Sequence, residues 1–227
     1  LPGARSWNVK SPVLAKQGVD GEPRGLSSTR LNRTSRRTER VAYVTFATPN
    51  FRYGVMALAN SLRAVTNIPL IVMVPAGGES VVAGCPNAIP IVVPSIANPN
   101  AGTLKQKRFL DTYSKLNVFS LTFLDKAVFL DADTIVLKKI DDLFDHETFA
   151  AAPDIGLQPS SSGFNSGVFV CKPARSVYLD MIQKTSQLHS DDGGDQGFLN
   201  SYFPDAQILD HHYNVLKRVY NMYPQFL

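Results

Sequence analysis

The most constraining feature of the chain is a short apolar run that ends in two carboxylates. Ala127 to Leu130 is uninterrupted and hydrophobic, and Asp131 and Asp133 follow it closely. An ionised carboxylate is costly to bury unless it is paired or bound to a metal ion. A buried strand that ends this way predicts a hard divalent cation, Mn²⁺ or Mg²⁺, and a phosphate-bearing ligand. The alternative is a solvated turn that caps the next segment.

Apolar, β-branched runs alternate with segments of helical periodicity along most of the chain. We predict strands over 41–46, 69–74, 89–93, 127–130 and 164–170, and helices over 53–65, 103–123 and 174–188. Strands that alternate with helices indicate an α/β fold with a mostly parallel central sheet flanked by helices. Ligands bind such sheets beyond the carboxyl ends of the strands. The two aspartates and the turn after the first strand both lie at such an end.

Polar residues in the second half have both a structural and a functional interpretation. Residues 151–163 predict a loop, and 191–197 predict a glycine-rich turn that leads into 198–203. Asp192 and Asp195 could cap a helix, or Asp195 and Gln196 could bind sugar hydroxyls where glycines allow close approach. Asn165 interrupts an apolar strand and needs a partner, either protein or ligand. Lys115, taken alone, would be a surface cation.

The formal charge of +4 is unevenly distributed. Residues 1–40 hold nine Lys and Arg against three Asp and Glu, whereas the remaining residues hold fourteen against sixteen. The first segment has few large apolar residues, so we expect a disordered basic tail or stem over 1–40 and a folded domain over 41–227. A mildly acidic domain argues against nucleic acid as a partner.

Several motifs in a fixed order resemble the glycosyltransferase family that contains glycogenin and galactinol synthase. The resemblance extends from about residue 41 to 223. The matching segments are Val44-Thr45-Phe46-Ala47-Thr48, Asn60-Ser61-Leu62, Ser114-Lys115-Leu116, Val128-Phe129-Leu130-Asp131-Ala132-Asp133-Thr134, Ile140-Asp141-Asp142-Leu143-Phe144, Ala151-Ala152-Pro153-Asp154, Phe164-Asn165-Ser166-Gly167-Val168-Phe169-Val170, Gly193-Gly194-Asp195-Gln196-Gly197-Phe198-Leu199-Asn200 and Tyr213-Asn214.

This resemblance implies a GT-A (Rossmann-like) fold and a retaining, metal-dependent hexosyltransferase that uses a UDP-sugar. It implies that Asp131 and Asp133 hold Mn²⁺, or Mg²⁺, against the diphosphate, and that the backbone of Ala132 contacts the ribose. The first strand and its turn would form the uridine site, with one of two aromatic rings stacked on the base. The residues of that site are Thr45, Phe46 and Thr48, with Phe51 or Tyr53 as the ring.

The same resemblance assigns residues at the sugar end. Lys115 would steady the donor, and the transferred sugar would be surrounded by Asn165, Asp192, Asp195 and Gln196. Asp195 is the candidate for the residue below the anomeric carbon. Whether it attacks covalently or stabilises positive charge on the sugar stays open.

One departure from the family concerns its last motif. The resemblance predicts a late histidine as third metal ligand and a Lys-Pro-Trp turn whose lysine meets the diphosphate. The sequence reaches Leu227 before any such segment. We therefore expect an incomplete site in this chain, active only when that segment is present. The alternatives are a non-catalytic UDP-sugar-binding relative or inactive fragment, and a sugar nucleotidyltransferase. The residues after the first strand lack the glycine- and cation-rich loop of the latter.

The sequence leaves the acceptor and the assembly open. A glycan, a polyol and a protein hydroxyl are all compatible with the resemblance. A membrane anchor ahead of the chain and a homodimer are further options. The compartment stays equally open, because the Golgi lumen would explain the stem-like tail, whereas a cytoplasmic enzyme would need no stem.

Overall fold

The computed structural model describes residues 38–102, 111–155 and 163–217. Within these ranges, one sheet has seven strands in the order β3-β2-β1-β4-β6-β5-β7. The predicted tail over 1–40 lies outside the described residues except for its last three. The strands are β1 (Val41–Phe46), β2 (Leu70–Val74), β3 (Ala88–Val92), β4 (Lys126–Leu130), β5 (Ala150–Pro153), β6 (Phe164–Cys171) and β7 (Gln207–Ile208).

The direction of β6 brings the candidate site together. The four strands from β3 to β4 are parallel, but β6 runs antiparallel to both β4 and β5. Leu130, the last residue of β4, therefore pairs with Val168 in the middle of β6, and the first residues of β6 extend past the end of β4. The next residue, Asp131, donates its backbone N–H to Gly167 O at 2.9 Å. The end of one strand and the beginning of another thus meet at a single edge.

Helical segments cover both faces of the sheet. The α-helices are α1 (Arg52–Val65), α2 (Arg175–Lys184) and α3 (Asp195–Tyr202), and a 3-10 helix spans Thr112–Ser120. Successive side chains of a strand point to opposite faces. Tyr43 accordingly packs in the core with α1, whereas Val44 packs in the core with the 3-10 helix, α2 and α3. The result is a layered α/β arrangement with a core on each side of the sheet.

A close backbone approach fixes α1 beside the carboxylate turn. A Cβ atom built on Gly54 would lie 2.5 Å from Ala132 O, closer than real Cβ contacts occur. Only glycine permits this approach, because it has no side chain. The first turn of α1 therefore lies directly against Ala132, the residue between the two predicted metal ligands.

Most predicted elements are confirmed, and the differences have local causes. Residues 112–120 form a 3-10 helix in place of the predicted α-helix, and residues 103–110 lie outside the described ranges. Phe123, the last residue of the predicted helix, follows the 3-10 helix and is 46% exposed. Ala150–Pro153, most of which was predicted as loop, pairs with β6 as β5. Arg40, predicted to belong to the tail, contacts Asp125 through its backbone and its guanidinium.

Among the described residues, no helix combines the length and the apolar character that a membrane-spanning helix needs.

Candidate active site

A cavity of about 820 Å³ opens at the carboxyl ends of β1 and β4 and at the start of β6. Eleven of the thirteen predicted site residues line it, and Thr45 and Tyr53 do not. The described lining residues are Phe46, Thr48, Phe51, Asp111, Thr112, Lys115, Phe129, Asp131, Ala132, Asp133, Asp154, Asn165, Ser166, Asp192, Asp195, Gln196, Leu216 and Lys217.

The two predicted metal ligands stand on one tight turn. Thr134 closes this turn, because its N–H and its hydroxyl both donate to Asp131 O, at 3.1 and 2.7 Å. Ala132 is buried between the aspartates, and Asp133 is exposed at the cavity. The turn therefore presents both carboxylates to the same cavity, as the sequence predicted.

Lys115 is the buried cation of the cavity. Its Nζ lies 3.0 Å from Asp131 Oδ1 and 2.7 Å from Asp195 Oδ2. It also donates to the carbonyl and the hydroxyl of Ser166, at 3.0 and 3.1 Å. Burial alone would lower the pKa of this ammonium, but the two carboxylates outweigh burial and raise its pKa above the ordinary value. Lys115 is therefore a charged link between the carboxylate turn and α3.

Asp131 sits among charges of both signs. Burial raises the pKa of its carboxyl, and the neighbouring Asp195 and Asp133 carboxylates raise it further. Lys115 acts in the opposite direction and lowers that pKa, and the net shift is upward. A net upward shift means that the surroundings favour a further positive charge at this carboxylate.

The first turn of α3 carries the polar residues predicted to surround the sugar. Asp195 is buried, and its Oδ2 accepts from Lys115 and from Ser166 Oγ, the latter at 2.7 Å. Gln196 is held at both ends, because its amide donates to Asp154 Oδ2 at 3.0 Å and its oxygen accepts from Ser166 N at 3.3 Å. The sequence predicted these residues in a turn, but the helix already begins at Asp195.

Asp192 has a structural role that its position predicted. Its Oδ1 accepts from the N–H groups of Gly194 and Gly197, at 2.8 and 3.0 Å, and from the Ser190 hydroxyl at 3.0 Å. These bonds cap the start of α3. Gly193 has a φ of +72°, which glycine adopts without strain. Asp192 nevertheless lines the cavity, so capping and ligand contact are compatible.

The side-chain oxygen of Asn165 is hydrogen-bonded to other residues of the protein. Its Oδ1 accepts from Gly167 N at 2.9 Å and from Asn214 Nδ2 at 2.8 Å. Its Nδ2 makes no hydrogen bond among the described residues, and it belongs to a residue that lines the cavity. The amide N–H groups are therefore available to a ligand.

The structure places only part of the predicted uridine site at the cavity. Phe46, Thr48 and Phe51 line the cavity. Thr45 does not, because it shares its strand face with Tyr43, which packs toward α1, and it is fully buried. Tyr53 is 81% exposed and lies outside the cavity lining, so the geometry favours Phe51 as the ring.

Five further polar residues of the cavity carry no role in the sequence interpretation. They are Asp111, Thr112, Asp154, Ser166 and Lys217. Asp154 and Ser166 stand inside motifs that carry the resemblance, so their position was the available signal. Lys217 is exposed and has no ion pair among the described residues. Nothing in the local sequence marks Lys217 or Asp111, because only the chain path brings them to the cavity.

The two adjacent histidines lie away from the described cavity lining. His211 and His212 belong to a 3-10 turn, not to a strand, and their rings stack with centroids 3.9 Å apart. Both ring Nδ1 atoms face Asp210 Oδ1, and Asp210 also accepts from His212 N at 2.9 Å.

The cavity suits a hard divalent cation. Asp131 and Asp133 offer carboxylate oxygens, which are the ligands that Mn²⁺ and Mg²⁺ prefer. The space around Asp131 is closely fitted, because a Cβ atom on Gly167 would lie 3.0 Å from Asp131 Oδ2. The donor type and the close fit are those of a metal site built on the carboxylate turn.

Comparison with known protein families identifies the family of this chain. The sequence model of the family described as Glycosyl transferase family 8 matches residues 87–225. The chain belongs to glycosyl transferase family 8. Inositol phosphorylceramide glucuronosyltransferase 1 of Arabidopsis thaliana is 45% identical over 118 residues, which are 51% of this chain and 21% of that protein. Glycogenin-1 of Homo sapiens is 48% identical over 99 residues, which are 44% of this chain and 27% of that protein.

Solved structures confirm the fold of this family 8 chain. Galactosyltransferase LgtC, solved in complex with donor and acceptor sugar analogs, matches with a TM-score of 0.58 at 19% identity. The match covers 82% of this chain and 81% of LgtC. The predicted GT-A α/β fold is thus confirmed. The chain spans only about a fifth to a quarter of the two curated relatives named above.

Proposed function

We propose that this family 8 chain is a metal-dependent, retaining hexosyltransferase that moves a sugar from UDP to an acceptor hydroxyl. The observation that carries the proposal is the joint arrangement of Asp131, Lys115 and Asp195 in one cavity. Asp131 belongs to the carboxylate turn, and Asp195 belongs to the predicted sugar end. One ammonium joins them, so the diphosphate and the sugar would bind on adjoining parts of one polar surface.

The charge of the cavity supports metal dependence. Among the described lining residues, six carboxylates face two ammonium groups, an excess of four negative charges. A nucleoside diphosphate adds further negative charge, and like charges at short range repel. A divalent cation held by Asp131 and Asp133 would offset this repulsion. It would also stabilise the negative charge that develops on the departing UDP.

The nucleoside end is proposed at the turn after β1. Phe51 lines the cavity while being 47% exposed, so one face of its ring is available for a base. Aromatic rings stack on planar π-systems such as uracil, with a favourable energy of about 1–3 kcal/mol per base. Phe46 and Thr48 complete this wall, and the buried backbone of Ala132 would contact the ribose.

The sugar end is proposed at β6 and α3. Asn165 offers free N–H groups, while Asp195 offers Oδ1, which makes no hydrogen bond among the described residues. Transfer breaks the bond from the anomeric carbon to UDP, and the bonding electrons leave with UDP. The acceptor oxygen forms the new bond, and its proton would pass to the departing UDP. Asp195 would either bond the anomeric carbon transiently or stabilise its positive charge.

The names of the relatives support a proposal for the class of the sugar donor. Their names describe a glucuronosyltransferase and a glycogenin, so we propose a UDP-hexose or its uronate as donor. The acceptor is proposed as a hydroxyl of a glycan, a polyol or a protein. UDP release from UDP-glucose, UDP-galactose and UDP-glucuronate, with Mn²⁺ or with chelator, tests the proposal. For the chain extended by the late segment that the resemblance predicts, we expect Mn²⁺-dependent release from one donor, and its loss in Asp195→Asn.

A non-catalytic sugar-nucleotide-binding module is the second candidate. The carboxylate turn and the ring of Phe51 would serve such a module equally well, because binding of UDP requires no transfer step. Such a module would bind UDP in the presence of Mn²⁺ and release none from any donor. A chain that neither binds UDP nor releases it would contradict both candidates.

A further inference from the structure

Ser166 contacts three polar residues of the cavity through three different atoms. Its backbone N–H donates to Gln196 Oε1 at 3.3 Å, and its carbonyl accepts from Lys115 Nζ at 3.0 Å. Its hydroxyl accepts from Lys115 at 3.1 Å and donates to Asp195 Oδ2 at 2.7 Å. The residue is buried at the start of β6. Ser166 therefore joins the cation to the first turn of α3.

These contacts use the one proton of the Ser166 hydroxyl and one of its two lone pairs. A serine hydroxyl has one proton to donate. That proton is directed to Asp195, and Lys115 occupies the accepting side of the same oxygen. Ser166 is thus poorly placed to act as a nucleophile or as a proton donor to a ligand. Its contribution has to pass through the residues that it holds.

The Asp195 carboxylate is fixed by one of its two oxygens. Oδ2 accepts from both Lys115 and Ser166, whereas Oδ1 makes no hydrogen bond among the described residues. Two donors from different directions restrain rotation of the carboxylate plane. With Lys115 alone, the carboxylate could pivot about the single ion pair and change the direction of Oδ1.

We propose that Ser166 is a positioning residue that orients Asp195 for sugar transfer, an inference that rests on the proposed function. A well-held reacting group lowers the barrier to reaction without tightening ground-state binding. The hydroxyl is not needed to keep Lys115 paired. That ammonium retains two carboxylates and the Ser166 carbonyl when only the hydroxyl is removed. Loss of the hydroxyl therefore acts on Asp195.

The test compares Ser166→Ala with wild type in UDP release, UDP affinity in Mn²⁺ and thermal unfolding. Because a hydrogen bond to a charged group is lost, kcat should fall about 10- to 100-fold. The UDP Kd should stay within about twofold, because uncharged Ser166 is not proposed to bind the nucleotide. Ser166→Thr keeps the hydroxyl on a strand that tolerates β-branching, and it should recover most of kcat.

Ser201→Ala is the matched control. Ser201 lies in the same helix as Asp195, α3, but it does not line the cavity. Its hydroxyl donates to the backbone carbonyl of His189 at 2.7 Å. We expect wild-type kcat for this variant. Unchanged kcat in Ser166→Ala, or a loss of UDP affinity as large as the loss of kcat, would overturn the positioning role. A wild-type chain that carries the predicted late segment and releases no UDP would instead overturn the proposed transfer, and this inference with it.

Discussion

Lys115 Nζ lies 2.7 Å from Asp195 Oδ2, and this buried ion pair links the two ends of the cavity. The same ammonium contacts Asp131 at 3.0 Å, so one positive charge serves two carboxylates on separate elements. Removing one partner of a buried pair leaves an uncompensated charge, which is costly. The link therefore couples the proposed metal site to the proposed sugar site.

Lys115→Met should bind Mn²⁺ about tenfold more tightly than wild type in the absence of nucleotide, because an ammonium beside the carboxylates repels a second cation. Titration of free Mn²⁺ by its electron paramagnetic resonance signal measures this affinity. The variant should melt at a lower temperature than wild type without metal and regain part of the loss with Mn²⁺. Lys184→Met, at a surface ion pair with Asp180, should bind Mn²⁺ as wild type does. Weaker Mn²⁺ binding by Lys115→Met would contradict the proposed geometry.

Gly167→Ala should weaken Mn²⁺ binding about tenfold or more, because a cramped Asp131 cannot hold its orientation. The added Cβ would lie 2.9 Å from Asn165 Oδ1 and 3.0 Å from Asp131 Oδ2, so both side chains would have to move. Calorimetric titration with Mn²⁺ gives the affinity. Gly102→Ala is the control, since a Cβ there meets no atom within 4 Å. Equal affinity in both variants would remove Asp131 from the proposed ligands.

Lys217→Met should weaken UDP binding about two- to fivefold and leave uridine binding unchanged. The exposed ammonium of Lys217 has no ion pair among the described residues, so it is free to attract phosphate charge. Such an exposed attraction is worth about 1 kcal/mol or less and is screened by salt. Affinities for UDP and uridine at two salt concentrations measure the effect. Lys138→Met, outside the cavity lining, is the control. An equal loss for uridine would indicate a structural effect instead.

Glu147 should make the folded chain sensitive to acid. Its bonds to Lys126 and Lys172 lower the pKa of its carboxyl from 4.5 to about 2 in the folded state. The unfolded chain therefore takes up this proton at a higher pH. The stabilisation is complete above about pH 4.5 and is lost as pH falls toward about 2.

Melting temperatures of wild type and Glu147→Gln between pH 6 and pH 2 measure this contribution, and the two curves should converge at the acid end. Glu79→Gln is the control, because Glu79 has no ion pair among the described residues. It should track wild type throughout. A constant gap between Glu147→Gln and wild type at every pH would show that these bonds do not depend on the carboxylate charge.

The carboxylate turn could be predicted from sequence because its signal is local. An apolar run has to be buried, and Asp131 and Asp133 follow it at a spacing that puts them on one turn. The parallel strands were predictable for the same reason. β5 (Ala150–Pro153) was not predicted because it is short and the residues after it have the composition of a loop. Only its pairing with β6 makes this segment a strand.

Side-chain direction was harder to predict than element position. Thr45 stands in a motif of the family, yet it lies on the strand face that Tyr43 directs toward α1. Lys115 reads as a surface cation in isolation, and only the packing of distant elements surrounds it with carboxylates. Ser166 gave no chemical signal, because its role depends on partners far away in the chain.

The most direct test of the account is the affinity of the chain for UDP with Mn²⁺ and with chelator. A cavity with an excess of acidic residues should take up a diphosphate only together with a divalent cation. We predict that UDP binds about 100-fold more tightly with Mn²⁺, and that Asp133→Asn loses most of this gain while Asp205→Asn keeps it. UDP binding of equal strength with and without Mn²⁺ would contradict the proposed metal site and the mechanism built on it.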